Sequence, residues 1–395
     1  MAKGLVSYTN LTAIANAIRT KNGSSDRYTP ATMAQAISDI PTSQVDQESA
    51  LQWMLNNKTN YAGIAAGLTT LTTLPTFTQP TGVTDFTSAF SGCSALTDIS
   101  SVDLTSSTKL QSICDGCENL VSNNITVNFP SAEMSLDYAF RNCAKVKKVS
   151  QVGQDQMAFR RITSAREAFY GCSVLTSFSY NNYIRAGYCK DFRSMFQNCA
   201  SLVSVIITEM GNGGPNSYLQ QDANSSSMFS GCSGLSTVTF NSGTDCLKYL
   251  TVCVSMFENC VKVKKIQIPT GNNFRPRNIG SMFKGCSILT TATGIDFSMM
   301  ENGNSAFYGC GALTTLPSTI DFSSASGTGL QRMFTNCSAL SNTSLDAILG
   351  GLVTATRIVA NKNLKYIGLS SSQATTCTTL SNWAACQAAG WTTGY

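Results

Sequence analysis

An eight-residue pattern recurs along this chain and limits what the chain can fold into. It consists of Ala, Met or Ile, then Phe, one variable residue, Gly or Asn, Cys, two variable residues, and Leu or Val. The pattern occurs ten times, first around Phe90, and one copy at residues 113–120 is degenerate, with Cys114 in place of Phe. Self-similarity of this kind predicts a stack of structural repeats rather than one or two compact domains. The motif cysteines are Cys93, Cys117, Cys143, Cys172, Cys199, Cys232, Cys260, Cys286, Cys310 and Cys337.

The spacing between successive motif cysteines is 24 to 33 residues, which lies largely within the range of leucine-rich repeats. After each cysteine, apolar residues continue at intervals that suit a short strand, as at Leu202, Val205 and Ile207. One repeat cannot bury its own Phe, Cys and Leu, so neighbouring coils must stack to exclude water. We therefore predict an α/β fold, a leucine-rich-repeat solenoid with ten units over residues 61–342.

The recurrent Gly, Asn and Cys positions of the pattern have structural explanations. Gly and Asn tolerate a left-handed backbone, which a tight corner of a coil demands. The motif cysteines would form an interior ladder with a spacing of about 4.8 Å, but their parallel side-chain directions disfavour disulfides. Buried, reduced thiols that act as small apolar groups are therefore favoured over a disulfide or zinc interpretation. The other cysteines are Cys114, Cys189, Cys246, Cys253, Cys377 and Cys386.

Helices are predicted at both ends of the repeats. Residues 9–18 and 29–40 have helical periodicity, and residues 44–60 suit a third helix or a connector. We assign residues 1–60 to an N-terminal helical attachment segment and residues 343–395 to a C-terminal cap. In this cap, Thr343 and Asp346 are expected to cap one helix, and Ser381 to open another. Gly390 and Trp391 suit a Schellman ending for the last helix.

The repeat resembles the BspA-like class of leucine-rich repeats, whose units carry an Ala-Phe-x-Gly-Cys-x-x-Leu corner and a short strand. The resemblance covers about residues 84–345 and implies a repeat fold found in bacterial and protozoan surface proteins and in phage virion proteins. Residues 11–19 and 30–37 resemble the N-terminal segment of phage and prophage tail-associated proteins. This second resemblance implies a virion or tail-associated surface protein.

Composition argues against several classes of function. The chain has no histidine, so it lacks the most common general base and transition-metal ligand. We expect no enzyme activity, no catalytic residue, no cofactor and no metal. The formal net charge of +5 is small for 395 residues and predicts no nucleic-acid partner. Because the sequence shows no signal-peptide core and no long apolar run, we expect neither secretion nor membrane insertion.

Two longer departures from the repeat period are candidate binding loops, because insertions in repeat proteins emerge on one face. Tyrosine beside amide and charged groups is typical of surfaces that recognise sugars and proteins, although a polar surface loop of this kind more often has no ligand. The candidate ligand-binding residues are Tyr183, Arg185, Tyr188, Asn216, Tyr218 and Gln220.

Two lysine groups occupy equivalent positions in the third and seventh repeats. Four coils separate them by about 20 Å, which favours a solvated face that limits aggregation over one compact anion site. Arg160, Arg161, Arg166, Arg185, Arg193, Arg275 and Arg277 could extend this basic patch. The lysine groups are Lys145, Lys147 and Lys148, and Lys262, Lys264 and Lys265.

Together, these features predict a non-enzymatic phage virion protein that displays its repeats for host-surface adhesion or receptor binding, as a tail fibre or baseplate appendage. The expected partners are other virion proteins, through the N-terminal segment, and a host cell-surface polysaccharide or protein; a homo-oligomer is also consistent with the sequence. An alternative is a structural decoration or scaffold protein of the capsid or tail without a host ligand. A bacterial surface adhesin is a third reading, which the missing signal peptide disfavours.

Overall fold

The computed structural model describes residues 44–121, 125–127, 134–151, 162–178, 183–186, 188–210, 222–240, 247–269 and 273–395. The two predicted helices within residues 9–40 lie outside these ranges, and so does Cys246. The chain divides into two compact units, residues 1–54 with 75–77, and residues 55–74 with 78–395. The predicted boundaries at residues 60 and 342 stay predictions.

The described elements are short strands followed by C-terminal helices, with one helix ahead of the repeats. The helix α1 (Gln44–Asn57) decides between the two alternatives for residues 44–60 in favour of a helix. The strands are β1 (Ile125–Val127), β2 (Met134–Ser135), β3 (Val149–Gln151), β4 (Ile162–Ser164), β5 (Tyr183–Ala186), β6 (Ser204–Met210), β7 (Ala223–Asn224), β8 (Thr237–Phe240), β9 (Leu250–Val252), β10 (Lys265–Gln267) and β11 (Thr291–Thr293). The C-terminal helices are α2 (Asn342–Thr354), α3 (Ser371–Cys377) and α4 (Trp383–Ala388).

All pairings between these strands are parallel and join successive repeats. One set follows the motif leucine and includes the β1–β3, β6–β8 and β10–β11 pairs. A second set precedes the motif phenylalanine, where β2 pairs with β4, β7 pairs with β9, and Asp191 bridges Ser164 to Asn224. Each repeat therefore contacts the next repeat at two positions along its coil, as expected for a stack.

The motif corner itself also joins the repeats through backbone hydrogen bonds. In the sixth repeat, the amides of Ser227, Phe229 and Gly231 donate to carbonyls of the seventh repeat at 2.8, 2.9 and 2.8 Å. The same three-bond pattern continues ahead of the first motif copy, where Gly63 and Ala65 donate to the first repeat at 2.9 and 2.8 Å. Residues 61–71 therefore form a further corner that the pattern search missed.

Each corner contains two residues with left-handed backbone. The Gly or Asn before every motif cysteine has φ between 60° and 78°, which confirms the prediction from the sequence. The residue two positions before the phenylalanine position is also left-handed in all ten copies, with φ between 53° and 60°. Seven of these ten residues are serine and none is glycine. The sequence therefore gives no indication that this second position is left-handed.

Eight of the nine motif phenylalanines form a continuous stack of rings in the core. Eight rings, from Phe140 to Phe334, lie 5.3 to 5.7 Å from their neighbours and nearly parallel to them. Phe90 is fully buried as predicted, but Cys114 interrupts the stack between Phe90 and Phe140. Burial of each ring contributes roughly 1.5–3 kcal/mol, so the stack is a principal source of stability.

The ten motif cysteines are buried and free, which confirms their assignment to the core. Their thiols do more than fill space. Each donates a hydrogen bond, 2.9 to 3.1 Å long, to the carbonyl of the residue at the phenylalanine position of the preceding corner. Burial raises the pKa of Cys172 and Cys232 to about 12, so these thiols keep the proton that they donate.

Cys114 and Cys117 form a Cys-x-x-Cys pair in the degenerate repeat, and both are fully buried. The carbonyl of Cys114 accepts the thiol of Cys143 at 3.0 Å, so the degenerate repeat preserves the ladder. Within the described ranges, no three His, Cys, Asp or Glu residues are grouped so that they could hold a metal ion. Because both side chains are fully buried, the pair is part of the core.

The structure confirms in part the predicted starts and ends of the C-terminal helices. The N-cap of α2 is Ser341, whose hydroxyl accepts from the Ser344 amide, so the assignment of this cap to Thr343 and Asp346 was wrong. Asp346 instead accepts hydrogen bonds from Ser381 and from the amide of Asn382, at 2.6 and 2.8 Å. Ser381 is thereby engaged, and α4 has Asn382 as its N-cap residue.

The Schellman ending of α4 is confirmed. The amide of Trp391 donates to the carbonyl of Cys386 at 3.2 Å, and Gly390, with φ 90°, donates to Gln387 at 2.8 Å. The Trp391 ring is buried, and its Nε1 donates to the carbonyl of Leu352 at 3.0 Å. This side chain fastens the last helix to α2.

Candidate interaction face

The variable side chains of the corner lie on the outside of the stack, because the flanking pattern residues point into the core. One such residue follows each motif phenylalanine, and nine of the ten are partly exposed. We call this set the corner row. It consists of Ser91, Asp115, Arg141, Tyr170, Gln197, Ser230, Glu258, Lys284, Tyr308 and Thr335.

An arginine–tyrosine cluster lies on this side across the second, third and fourth repeats. It is formed by Asp115, Tyr138, Arg141, Arg166 and Glu167. Arg141 donates to both carboxylate oxygens of Asp115, at 2.8 and 2.7 Å, and to Glu167 at 3.2 Å. The Arg141 guanidinium carbon lies 4.5 Å from the centre of the Tyr138 ring, and that of Arg166 lies 5.6 Å from it. Bidentate ion pairs and cation–π contacts both hold planar groups in fixed orientations.

The electrostatics of this cluster follow from its paired charges. The hydrogen bond to Asp115 raises the pKa of Arg141 above its usual range. Arg166 also approaches Glu167 at 3.5 Å. Each guanidinium keeps part of its edge towards solvent, since the side chains of Arg141 and Arg166 are 35% and 41% exposed. The cluster therefore presents preorganised donors and one aromatic ring to a partner.

A second charged pair lies near the fifth corner. The Nε of Arg193 donates to Asp191 at 2.9 Å. Burial raises the pKa of Asp191, but hydrogen bonds from the Arg193 side chain and backbone lower it more, and the net pKa is below the usual 3.8. Arg166 and Arg193, predicted as parts of a basic patch, are both paired with carboxylates.

The structure gives a different account of the first candidate loop. Residues 183–186 form the strand β5, in which Tyr183 is paired with Ile206 and Arg185 with Glu209 of β6. The expectation of a protruding loop there was therefore wrong, because parallel pairing continues through the longer coil. Tyr188 follows this strand and is half-buried.

The second candidate loop, with Asn216, Tyr218 and Gln220, lies outside the described residues. Ligand binding by all six candidates stays a prediction. The sequence analysis missed the arginine–tyrosine cluster because Asp115 lies 51 residues before Arg166 and 52 before Glu167, and these side chains meet only when the repeats are aligned in register. An alignment of the repeats on their motif cysteines could have shown that they are neighbours.

Comparison with known proteins agrees with the repeat geometry. The sequence matches the BspA type leucine rich repeat region in six copies, through overlapping segments at residues 87–223, 159–279, 220–316 and 252–377. The chain belongs to the BspA-type leucine-rich-repeat family. Repeats of this family indicate a role in protein interaction or adhesion, and the fold is a leucine-rich-repeat fold.

No curated protein matches this member of the family. Among solved structures, the crystal structure of a TLR13–ssRNA13 complex aligns at 13% identity with a TM-score of 0.18. The alignment covers 65% of this chain and 47% of the other chain, so this chain spans about half the length of that protein. Among the described residues, no helix has the length and apolar character that a membrane crossing requires.

Proposed function

We propose that this BspA-type protein is a non-enzymatic phage virion component that displays its repeats for adhesion to a host cell surface. The observation that supports the adhesion role is that each corner combines constant buried positions with a variable outward position. Core positions repeat the same Phe and Cys in a continuous stack, whereas the neighbouring outward position changes from repeat to repeat. A rigid scaffold with a variable outer row suits recognition better than catalysis.

The arginine–tyrosine cluster is the part of this outer row best suited to a ligand. Tyr138 offers an aromatic face, and Arg141 and Arg166 offer donors whose orientation is fixed by Asp115 and Glu167. Aromatic and arginine side chains contribute disproportionately to the affinity of interfaces. A host-surface polysaccharide or protein is the proposed ligand.

The virion assignment rests on the sequence of the N-terminal segment. Residues 11–19 and 30–37 resemble tail-associated phage proteins, and this segment would attach the repeats to other virion proteins. The absence of histidine from the full sequence supports a non-enzymatic role.

The experiment measures binding of the labelled full-length chain to a panel of bacterial cell envelopes and to isolated virion proteins. With an envelope that binds, Arg141→Ala and Tyr138→Ala should each weaken binding at least tenfold, because each removes a central group of the cluster. Tyr308→Ala is the matched control, since Tyr308 occupies the same corner row as Arg141, six repeats away. Circular dichroism would verify that the three variants stay folded.

Binding to virion proteins but to no envelope would refute adhesion and favour the alternative, a structural decoration or scaffold protein. Equal losses for Tyr308→Ala and Arg141→Ala would refute the assignment of the cluster. Detection of the chain in purified particles by mass spectrometry would test the virion origin separately.

A further inference from the structure

The strand segment after each motif cysteine has its own exposed face. Four outward positions define it in every repeat, namely the two residues after the cysteine and the two residues after the motif Leu or Val. We call these positions, from the third to the ninth repeat, the lysine face. Its charged residues are Lys145, Lys147 and Lys148 in the third repeat, and Lys262, Lys264 and Lys265 in the seventh, all exposed.

Parallel pairing places these positions in register across the stack. Lys148 forms a bridge with Ser177 of the next repeat, Ser204 pairs with Thr237, and Lys265 pairs with Thr291. Four repeat steps at the usual strand spacing separate the two lysine trios by about 19 Å. The two trios therefore lie four repeats apart on one surface.

Among the residues that the structure describes, the positive charge of this face has no carboxylate partner. None of its positions, from Ala144 to Thr315, holds Asp or Glu. Across the described ranges, none of the six lysines pairs with a carboxylate, and Lys145 donates to the amide oxygen of Asn119 at 2.6 Å. In contrast, Arg141, Arg166 and Arg193 of the corner side are all paired with carboxylates. Like charges concentrated on one face attract an anionic partner and raise its association rate.

The stretch between the trios is neutral and lined by small side chains. It carries serine and threonine hydroxyls together with Val174 and Val203, which are 39% and 55% exposed. The hydroxyls of Ser173, Thr176 and Ser236 donate to backbone carbonyls of the preceding repeat, and their lone pairs can accept hydrogen bonds from hydroxyl groups of a ligand. The two valines can contact the apolar faces of sugars or polyols. A compact anion could reach only one trio, whereas an extended polymer could contact both.

The composition of the face also discriminates between classes of polymer. Its positions include no aromatic residue and no arginine. Proteins that bind single-stranded nucleic acids stack the bases on aromatic side chains, and such a platform is absent from these positions. The face thus favours a polymer without bases.

From this geometry we propose that the lysine face binds an extended anionic glycan or polyol-phosphate chain that runs along the stack and contacts both lysine trios. The acid groups, phosphate or carboxylate, would meet the lysines, and the neutral repeats would contact the intervening chain. This inference goes beyond the proposed function, because it adds a second binding surface, separate from the arginine–tyrosine cluster, and names its class of ligand; its biological setting rests on the proposed adhesion.

The test is binding of purified full-length protein to poly(glycerol phosphate) and to polygalacturonate, measured by isothermal titration calorimetry at several salt concentrations. These two probes distinguish phosphate from carboxylate sources. Lys145→Gln/Lys147→Gln/Lys148→Gln and the corresponding seventh-repeat triple variant should each weaken binding at least tenfold, because either change leaves only one contact site. Each should also lower the salt dependence of the affinity.

A matched control removes three charges elsewhere, as Lys58→Gln/Lys190→Gln/Lys365→Gln, and should change affinity less than twofold. Polymer chains too short to span about 19 Å should bind the wild type as weakly as long chains bind either triple variant. The substitutions on the lysine face replace exposed side chains, whereas Lys58 of the control variant is half-buried, and circular dichroism would verify the fold of all three variants.

Three results would overturn the inference: no binding of the wild type to either polyanion, an equal loss in the control variant, or tighter binding to single-stranded DNA of the same charge. Because the probes are purified polymers, these outcomes do not depend on adhesion to cells. Polymer binding that fails while envelope adhesion persists would refute the lysine face alone. The reverse result would refute the adhesion function alone.

Discussion

Exchange of Gly285 for asparagine should destabilise the protein, whereas the same exchange at Gly92 should be tolerated. Both glycines occupy the left-handed corner position before a motif cysteine, and both have φ 76°. Asparagine adopts this conformation readily, as Asn259 does in the seventh repeat with φ 60°. The backbone conformation therefore affects the stability of the two variants equally. Any difference between their free energies of unfolding comes from the atoms around each substituted side chain.

The surroundings differ because of the preceding repeat. A Cβ atom at Gly285 would lie 2.3 Å from Oδ1 of Asn259, whereas the nearest atom to a Cβ at Gly92 is the Cα of Gly67 at 3.5 Å. Gly171 and Gly231 face Asn142 and Asn198 in the same way, at 2.7 and 2.3 Å. An asparagine in one corner thus occupies the space of a side chain in the next, and no two successive motif corners both have asparagine.

Relief of this clash requires Asn259 to leave its rotamer, which costs about 0.5–1.5 kcal/mol. Gly285→Asn should therefore lower the free energy of unfolding by about 1 kcal/mol more than Gly92→Asn. The double exchange Asn259→Gly/Gly285→Asn should recover this difference, because the new asparagine would then lie between two glycine corners, the substituted one before it and the native Gly309 after it. The coupling energy of the double-mutant cycle should then be about 1 kcal/mol.

Urea unfolding followed by circular dichroism would give the free energies, and hydrogen exchange would localise the effect to the seventh and eighth repeats. The reasoning is refuted if Gly285→Asn and Gly92→Asn have equal effects. It is also refuted if the double exchange is as destabilising as the sum of its single changes.

Three further predictions follow from the core and its charges. Phe229→Ala should lower the free energy of unfolding by about 3–5 kcal/mol, and a loss under about 1 kcal/mol in urea titrations would contradict a stabilising role of the ring stack. Because burial raises the pKa of Cys172 to about 12, native protein should resist iodoacetamide at mildly alkaline pH until urea unfolds it, with labelling measured by mass spectrometry. Since Arg193 holds the pKa of Asp191 below 3.8, the stability from this pair is present above that value and lost as pH falls through the folded-state pKa. Asp191→Asn should therefore reduce the difference in Tm between neutral pH and about pH 3, and an unchanged difference would exclude this linkage.

The sequence pattern was sufficient to predict the interior of the stack. Phe, Cys and Gly or Asn recur at the same positions of each copy. The argument that buries Phe and Cys and makes Gly or Asn left-handed in one copy therefore holds for every copy. The thiol donation of Cys232 to the carbonyl of Phe196 was not predictable, because its acceptor belongs to the preceding repeat and leaves no mark in the residue types.

Positions filled by common residues were harder to predict. The second left-handed position is usually serine, as at Ser227, and serine is frequent throughout this chain. The corner at residues 61–71 has Ala65 and Leu68 where later corners have Phe and Cys, although Gly63 and Gly67 preserve the turn spacing. The cap of α2 was misplaced because Ser341 and Thr343 are both good capping residues.

The candidate site depended even more on three-dimensional register. A longer repeat can add a loop or a strand, and composition around Tyr183 did not distinguish them; pairing with β6 does. Likewise, the contact of Arg141 with Asp115 spans two repeats. Only the alignment of neighbouring coils brings these two side chains together.

The corner with its two left-handed residues also bears on how such a chain can change over generations. The distance between successive motif cysteines ranges from 24 to 33 residues, yet all ten corners have the same backbone turn. Length differences are thus absorbed in the remainder of each coil. Duplication, deletion or exchange of whole repeats with breakpoints inside the corner would preserve the junctions, provided that two asparagine corners do not become adjacent. Copy number and outer surface can therefore diverge rapidly while the junction chemistry stays the same.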